Sequence, residues 1–591
     1  MKIFLSIFSV LVLGTFSASA QLKNKYFGIW QTSSEPLSVS QFPEIKGTLC
    51  NFYWKDLETN PGVWDWTSFD TALARRTQDG LPVIFMVYVR GPRGDAPEWL
   101  FGKGVPKVII KDNKGNIIGS SPYYADSIYK FYFKKMIIAV HQHLETLPSF
   151  VRIRIIGVQG CFGSTGDFIG YQGGVVPSKF TLTQKQFSNL FREFTQYYFD
   201  EYKNTNPKIA LLSNPKNQRD DDALWVALNC PGGWLKNSTI GKAFQLNDEL
   251  DKSLWLYDLV NKPQNGDYIR MQCEIPGSST SSGWWKKFPY RNMFGVMCYA
   301  IYWGLDWPNQ DDDGIIDPLL DSVFNFFNKY AGQKDPAKST NAMCALKDVL
   351  DASDSVRFPA SIYGSVSRAN TQRYQDIANH FSAFGAKLED VNKLGSPETD
   401  QLSATGTNDV GWRLLPGNYD RYLHQITPNQ TSVGYWNVQS GDPNSMYGRF
   451  ARGFDIVNNK DALYFDVDNA FLSNAPLNSS YPVTIEITYL DKGNGGWQLF
   501  YDAQTDDNHP SITVICGNSG LWKKVSVTLT DAYFGNRCIN SSDFYIKSTN
   551  NENVIFAVAE LTRPDIDLLD NNLLFSPPLD FDAVCATSTN K

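Results

Sequence analysis

The sequence lacks a basic block. Its 54 Lys and Arg are outnumbered by 61 Asp and Glu, for a net charge of −7, which argues against nucleic acid and anionic membrane surfaces as partners. No stretch beyond the first 20 residues approaches the ~20 apolar residues that a membrane span needs. Histidine is scarce, with five residues in all. None stands at metal-ligand spacing, and the nine cysteines contain no CxxC pair, so neither zinc nor any other cofactor is expected. No GxSxG elbow supports Ser/His/Asp catalysis, no glycine-rich phosphate loop follows a strand, and no repeat recurs at 20–50 residues. The run NQDDDG (309–314) lacks the spacing of an EF-hand loop and reads as a solvated loop, as does QRDDD (218–222). An odd cysteine count leaves at least one thiol unpaired. Cys50, Cys161, Cys273 and Cys298 lie in apolar runs and read as buried small side chains. Cys516 and Cys538, in a strand-rich region, are the best candidate pair.

What is present in abundance is aromatic surface. Aromatics make up 14% of the chain, 16 of them Trp, enough for a large core or for stacking platforms. The first 20 residues read as a signal peptide: Lys2, an apolar stretch from Ile3 to Phe16, then the small-residue site Ala18-Ser19-Ala20. A secreted or periplasmic protein beginning near Gln21 is expected. The remaining ~570 residues are too many for one core, so two to four domains are expected.

From 21 to 335, short apolar runs alternate with longer helical ones. The runs are YFGIW ending at Trp30, GTLCNFYW ending at Trp54, LPVIFMVYV (81–89), VRIRIIGVQG (151–160), KIALLSN (208–214), a weak sixth at 234–240, YIRMQCE (268–274) and NMFGVMCYAIYWGLDW (292–307). Helices are expected near 68–78, 125–147, 184–203 and 317–330. Eight strands alternating with helices predict an α/β fold, a (β/α)8 TIM barrel of roughly 300 residues with its site at the strands' carboxyl ends. Residues 336–405 carry helix-like segments at 342–352 and 371–384 and read as a helical extension. From 406 to 563, VTIEITYLD, GWQLFYDA, SITVICG, KKVSVTLTD, DFYIKS and NVIFAVAELT predict an accessory C-terminal β-sandwich. Residues 564–591 read as a tail. Arg413, Arg421, Arg449 and Arg452 with Trp412, Tyr419 and Trp436 form either an interdomain seam, the favoured reading, or a patch for an anionic glycan.

The seventh run ends on Glu274, followed by Pro276, Gly277 and a Ser-rich loop closed by Trp284 and Trp285. A carboxylate at a strand's carboxyl end beside indoles suits chemistry on a sugar, although one Glu at a strand end, taken alone, is more readily explained as solvated. Sugar hydrolysis needs a second carboxylate. The fourth run offers Asp167 in QGCFGSTGD, where glycines let the loop fold over the strand end, although an Asp after Gly is equally explained as a turn cap.

The segment WKDLETNPGVWDWTSFD (54–70) resembles the stretch after strand two in clan-A glycoside hydrolases, family-42-type β-galactosidases in particular, and YWGLDW (302–307) resembles their strand-eight segment. Residues 408–455 resemble accessory regions of Bacteroidetes polysaccharide-degrading enzymes. The resemblance implies a retaining glycosidase acting on a polysaccharide or oligosaccharide. Glu274 would be its nucleophile and Trp303 the aromatic beneath the sugar. Where the clan carries Asn-Glu at the end of strand four, this chain has Gln159 and Gly160, leaving Asp167 as the acid/base, with Glu58 or Glu98 as substitutes if their loops lean inward. Trp30, Trp54, Gln159, Trp284 and Trp285 would line the subsites, and Arg90 and Arg93 would take an acidic substituent. The missing Asn-Glu supports the alternative, a non-catalytic carbohydrate-binding protein on a degenerate barrel.

Overall fold

The computed structural model describes residues 26–32, 35–89, 94–160, 171, 174–215, 220–239, 257–264, 268–275, 289–389, 408–472 and 482–564. Eight parallel strands close into a barrel in chain order: β1 (Ile29–Gln31), β2 (Ile45–Tyr53), β3 (Val83–Tyr88), β4 (Ile155–Gln159), β5 (Ala210–Ser213), β6 (Trp234–Thr239), β7 (Met271–Glu274) and β8 (Trp307–Gln310). The strands are near-continuous apolar runs because their outer faces meet helices and their inner faces meet one another. Phe52 of β2 and Phe85 of β3 point outward onto Phe69 of α1 (Thr67–Thr77). The alternate residues Leu49, Asn51 and Tyr53, with Ile84, Met86 and Tyr88, therefore point into the lumen.

The helices start where local chemistry allows. Asp126 accepts from the backbone N–H groups of Ile128 and Tyr129 and opens α2 (Ser127–Leu144). Thr183 and Gln186 form a reciprocal capping box that opens α3 (Gln184–Tyr202), and α4 (Asp220–Asn229) follows β5. The segment between β2 and α1 folds on itself. Trp64, Trp66 and His143 stack in series, with centroids 5.0 and 4.2 Å apart, so the WDW stretch anchors a loop to α2.

The apolar run expected to be the eighth strand is instead the helix α5 (Pro289–Tyr302), and β8 begins only at Trp307. Arg291 to Ile301 is buried at every position, because α5 lies between the barrel, through α6 (Asp321–Tyr330), and a strand of the C-terminal domain. A helix buried all round carries no amphipathic period and reads like a buried strand.

The C-terminal region is a β-sandwich. One antiparallel sheet contains β9 (Asn341–Ala345), β10 (Tyr419–Arg421), β12 (Val433–Trp436), β13 (Phe450–Gly453), β15 (Val483–Asp491), β18 (Leu521–Leu529) and β20 (Ile555–Thr562). The other contains β11 (Leu423–Gln425), β14 (Ala462–Val467), β16 (Gly496–Tyr501), β17 (His509–Ile515) and β19 (Phe544–Ser548). Ile485, Ile487 and Leu561 from the first sheet share a core with Phe465, Trp497, Leu499 and Ile546 from the second. The start of the segment expected to be helical at 342–352 is strand β9, paired along its length with β20; the helix expected at 371–384 is present as α7 (Thr371–His380) followed by a 3-10 turn.

Seven described cysteines are free and buried, Cys516 and Cys538 among them. The expected pair does not form because the two thiols lie on opposite sides of the second sheet. Cys516 belongs to the core between the sheets, and Cys538 packs with Tyr464 and Tyr545 on the far face.

Three of the four arginines of 408–455 serve the seam and the sandwich interior, and Arg413 is exposed. Arg421 donates to Asn261 Oδ1 at 2.6 Å and to the Gln333 carbonyl at 3.0 Å. Arg449 pairs with buried Asp409 at 2.6 Å. Arg452 is buried and donates to the Lys347 carbonyl at 3.0 Å.

The barrel mouth as candidate active site

The floor of the lumen is aromatic. Trp307 of β8 lies 5.4 Å from Trp30 of β1 and 5.1 Å from Trp234 of β6, centroid to centroid. Phe27, just ahead of β1, stacks below at 6.0 Å, which places this layer toward the amino ends of the strands. Glycines make room for it: a methyl group on Gly47 would run into the Trp30 ring, and one on Gly157 would sit 3.1 Å from Trp234. Trp30 is thus a core residue rather than a sugar platform.

Polar residues face the lumen above the indoles. Glu274 is in register with Asn309 of β8. Two residues earlier, Gln272 is in register with Lys236 of β6 and Trp307 of β8. Because Trp307 points inward, Gln272 does too, and Glu274 shares its face. Lys236 donates to Glu274 Oε1 in a short ion pair; the lysine side chain is 2% exposed and the glutamate 42%. Cys273, between the two inward residues, is fully buried, and burial pushes its thiol well above the ordinary range. Gln159, buried at the end of β4, pairs with Met86 and Leu212 and so also faces inward. Asn51 Oδ1, Thr32 Oγ1, Gln272 Oε1 and Asn309 Oδ1 are buried and accept no hydrogen bond among the described residues.

Across the mouth stand Tyr53 and Tyr88, at the carboxyl ends of β2 and β3. Their rings stack 5.7 Å apart, and Tyr53 is 38% exposed. In an eight-stranded ring, β2 and β3 lie opposite β6 and β7, so this pair faces Lys236 and Glu274.

The other expected site residues fall elsewhere. Trp54 is buried against Trp99, Tyr129 and Phe133, and its Nε1 donates to Glu58 Oε2 at 2.8 Å. It closes the outside of the barrel behind β2. Glu58 is held by that bond and by the Gly62 N–H at 2.8 Å. Burial raises its carboxyl pKa, and those two bonds offset this only in part. Glu98 forms an exposed pair with Lys107 at 2.6 Å. Trp303 follows α5, ahead of β8, and packs on Tyr257 and Tyr299. It therefore lies at the amino-terminal side, away from the mouth. Asp167, Arg90, Arg93, Trp284 and Trp285 lie outside the described residues. Lys236, Tyr53 and Tyr88 were missed in the sequence. The signal was parity: Tyr53 shares its face with Leu49 and Asn51, and Lys236 shares its face with Trp234.

No described helix is long and apolar enough to cross a membrane. Among the described residues, no group of three His, Cys, Asp or Glu could hold a metal ion.

No family profile and no curated protein matches the chain. Solved structures to which it is similar include the catalytic domain of β-amylase from Paenibacillus polymyxa, at 11% identity and TM-score 0.34 over 51% of this chain and 98% of that one. They also include β-galactosidase from Marinomonas ef1, at 12% and 0.31 over 48% and 53%. A glucosidase from Croceicoccus marinus aligns at 11% and 0.32 over 93% and 97%. At these identities and scores, the fold assignment rests on the strand order itself.

Proposed function

We propose that the chain is an exported glycoside hydrolase that cleaves O-glycosidic bonds of a polysaccharide or oligosaccharide, with Glu274 as its nucleophile. The observation that carries this reading is the half-exposed Glu274 carboxylate, facing into the lumen at the carboxyl end of β7 and ion-paired with Lys236. An ion-paired carboxylate is the form that attacks, so the proton for the leaving oxygen must come from a second group. Asp167, in the segment that follows β4 in the chain, is proposed for that role. Glu58 and Glu98 are committed to Trp54 and Lys107. Tyr53 and Tyr88 are proposed as the wall on which a sugar ring rests. The buried amide oxygen of Asn309 would accept a sugar hydroxyl, and Gln159 would line the same side.

In this reaction Glu274 bonds to the anomeric carbon as the bond to the leaving oxygen breaks. The electron pair leaves with that oxygen, which takes the proton from the acid. Water, deprotonated by the same residue, then releases the sugar with retained configuration. A carboxyl separation of roughly 5–5.5 Å between Glu274 and Asp167 accompanies retention.

The test is hydrolysis of a panel of polysaccharides and activated aryl glycosides by the wild type, Glu274→Gln and Asp167→Asn. Glu274→Gln should abolish turnover of every substrate. Asp167→Asn should spare an aryl glycoside with a good leaving group far more than the native glycan. Glycan binding without turnover by the wild type would instead establish a carbohydrate-binding barrel. Export is tested by the mature amino terminus, expected near Gln21.

A further inference from the structure

Lys236 occupies a position that a barrel normally fills with a branched apolar residue. Its side chain is almost fully enclosed while its partner is nearly half open. Enclosing an ammonium is expensive unless a carboxylate meets it, and among the described residues the proposed nucleophile does so. The contact is also one-sided. Lys236 engages Oε1, and among the described residues nothing binds Oε2. The lysine stands in register with Gln272, two residues below Glu274 on the neighbouring strand, so it reaches its partner from the wall and below. The carboxylate itself is 42% exposed.

We propose that Lys236 is a positioning residue: its ammonium clamps Oε1 of Glu274, so that Oε2 is the oxygen presented to the anomeric carbon. The inference rests on the hydrolase reading and adds a geometric role for the lysine of its ion pair. In the covalent step Oε2 contributes the electron pair of the new carbon–oxygen bond, the leaving oxygen departs with the old pair, and Lys236 keeps all its protons throughout. It touches neither substrate nor leaving group. Its effect is on the orientation of the attacking atom, which is a matter of kcat.

The test compares the wild type with Lys236→Met, Lys236→Arg, Glu274→Gln and the Lys236→Met/Glu274→Gln double variant, using an activated aryl glycoside. A misplaced reacting group costs on the order of 100-fold, so Lys236→Met should lose about that much in kcat with KM changed less than about two-fold. Lys236→Arg, which restores a cation and a donor, should recover most of the loss. On the Glu274→Gln background, where turnover is absent, the lysine change is read by melting and should raise the Tm, since it removes the enclosed ammonium that has lost its carboxylate partner. The second readout needs no activity. In crystal structures without ligand, Glu274 should keep its place in the wild type and Lys236→Arg, and leave it in Lys236→Met. If Lys236→Met does not fold, Lys236→Gln, uncharged but still a donor, takes its place in both measurements. A Glu274 that stays put without the ammonium, or an unchanged kcat, overturns the proposal. If the wild type cleaves nothing in the panel but Glu274 moves in the variant, the hydrolase reading falls and the clamp stands.

Discussion

Tyr330 donates its phenolic hydroxyl to Glu560 at 2.7 Å, joining the last barrel helix to the middle of β20 in the sandwich. Lys329 reaches the same carboxylate at 3.0 Å, and Lys524 of β18 does so at 2.8 Å. Burial alone would raise the Glu560 pKa, but the two ammonium groups outweigh it and hold the carboxyl below its ordinary value.

Glu560→Gln should therefore destabilise the whole molecule. It removes the buried carboxylate that Lys329, Lys524 and Tyr330 share, while the partly exposed lysines keep Glu486 as a partner, at a cost of about 1–3 kcal/mol. Calorimetry should show barrel and sandwich melting together at a lower temperature. The sign of the pH effect follows from the lowered folded value: the contribution is complete above the unfolded pKa and is lost as pH falls through the folded one. The gap between wild type and Glu560→Gln should thus close in acid. A sandwich transition unaffected by the change would rule out the latch.

Trp30 and Gly47 make a second pair of expectations. Trp30→Ala empties part of the barrel floor and should cost about 3–5 kcal/mol. Gly47→Ala drives a methyl into the ring and should destabilise by about 1–3 kcal/mol or more. Neither should raise KM at a temperature where the variant is folded, because the indole lies below the site. A selective loss of substrate affinity in Trp30→Ala would return that residue to the binding surface.

At the mouth the expectation reverses. Tyr53→Ala removes a partly exposed ring from a stacked pair, so stability should change by less than about 1 kcal/mol. KM for an oligosaccharide should rise several-fold, with kcat for a small aryl glycoside little altered. Unchanged KM for every substrate would remove the tyrosines from the proposed wall.

Asp543 gives a pH-dependent stability test within the sandwich. It is buried and accepts from the Val467 and Asn536 N–H groups at 2.8 and 2.9 Å. Burial raises its pKa from 3.8 to about 7, against the lowering effect of those two bonds. Its folded value lies above the unfolded one, so its contribution is complete below 3.8 and is lost as pH rises through 7. Asp543→Asn sets an amide N–H against the Val467 or Asn536 N–H, so it should melt below the wild type at pH 5, with the deficit shrinking toward pH 8 as the wild-type carboxyl ionises. A constant offset across that range would refute the titration.

Seven of the eight strands were legible because parallel barrel strands, covered on both faces, read as apolar runs between turns. The eighth was not, because α5 is covered on both sides as well, by α6 and by β10 of the sandwich, and burial erased its period. That error also carried Trp303 to the wrong end of the barrel. Glu274 could be placed at a rim from its position at the end of a run. Its partner could not, because which lysine meets it depends on which strands adjoin and which parity faces inward. Trp30 and Trp54 were overvalued for a related reason: residue type marks an aromatic, but only the pleat tells whether it meets solvent, the lumen or a helix.

The three indoles of the barrel floor also have an optical consequence. Trp30, Trp307 and Trp234 come from strands far apart in sequence yet lie within 5.4 Å of one another along the series. Their transition dipoles couple only when the first, sixth and eighth strands are all seated. The near-ultraviolet circular dichroism of the native protein should therefore carry an exciton signature that vanishes when the ring opens. The molecule thus contains its own reporter of barrel closure, readable during refolding without a label.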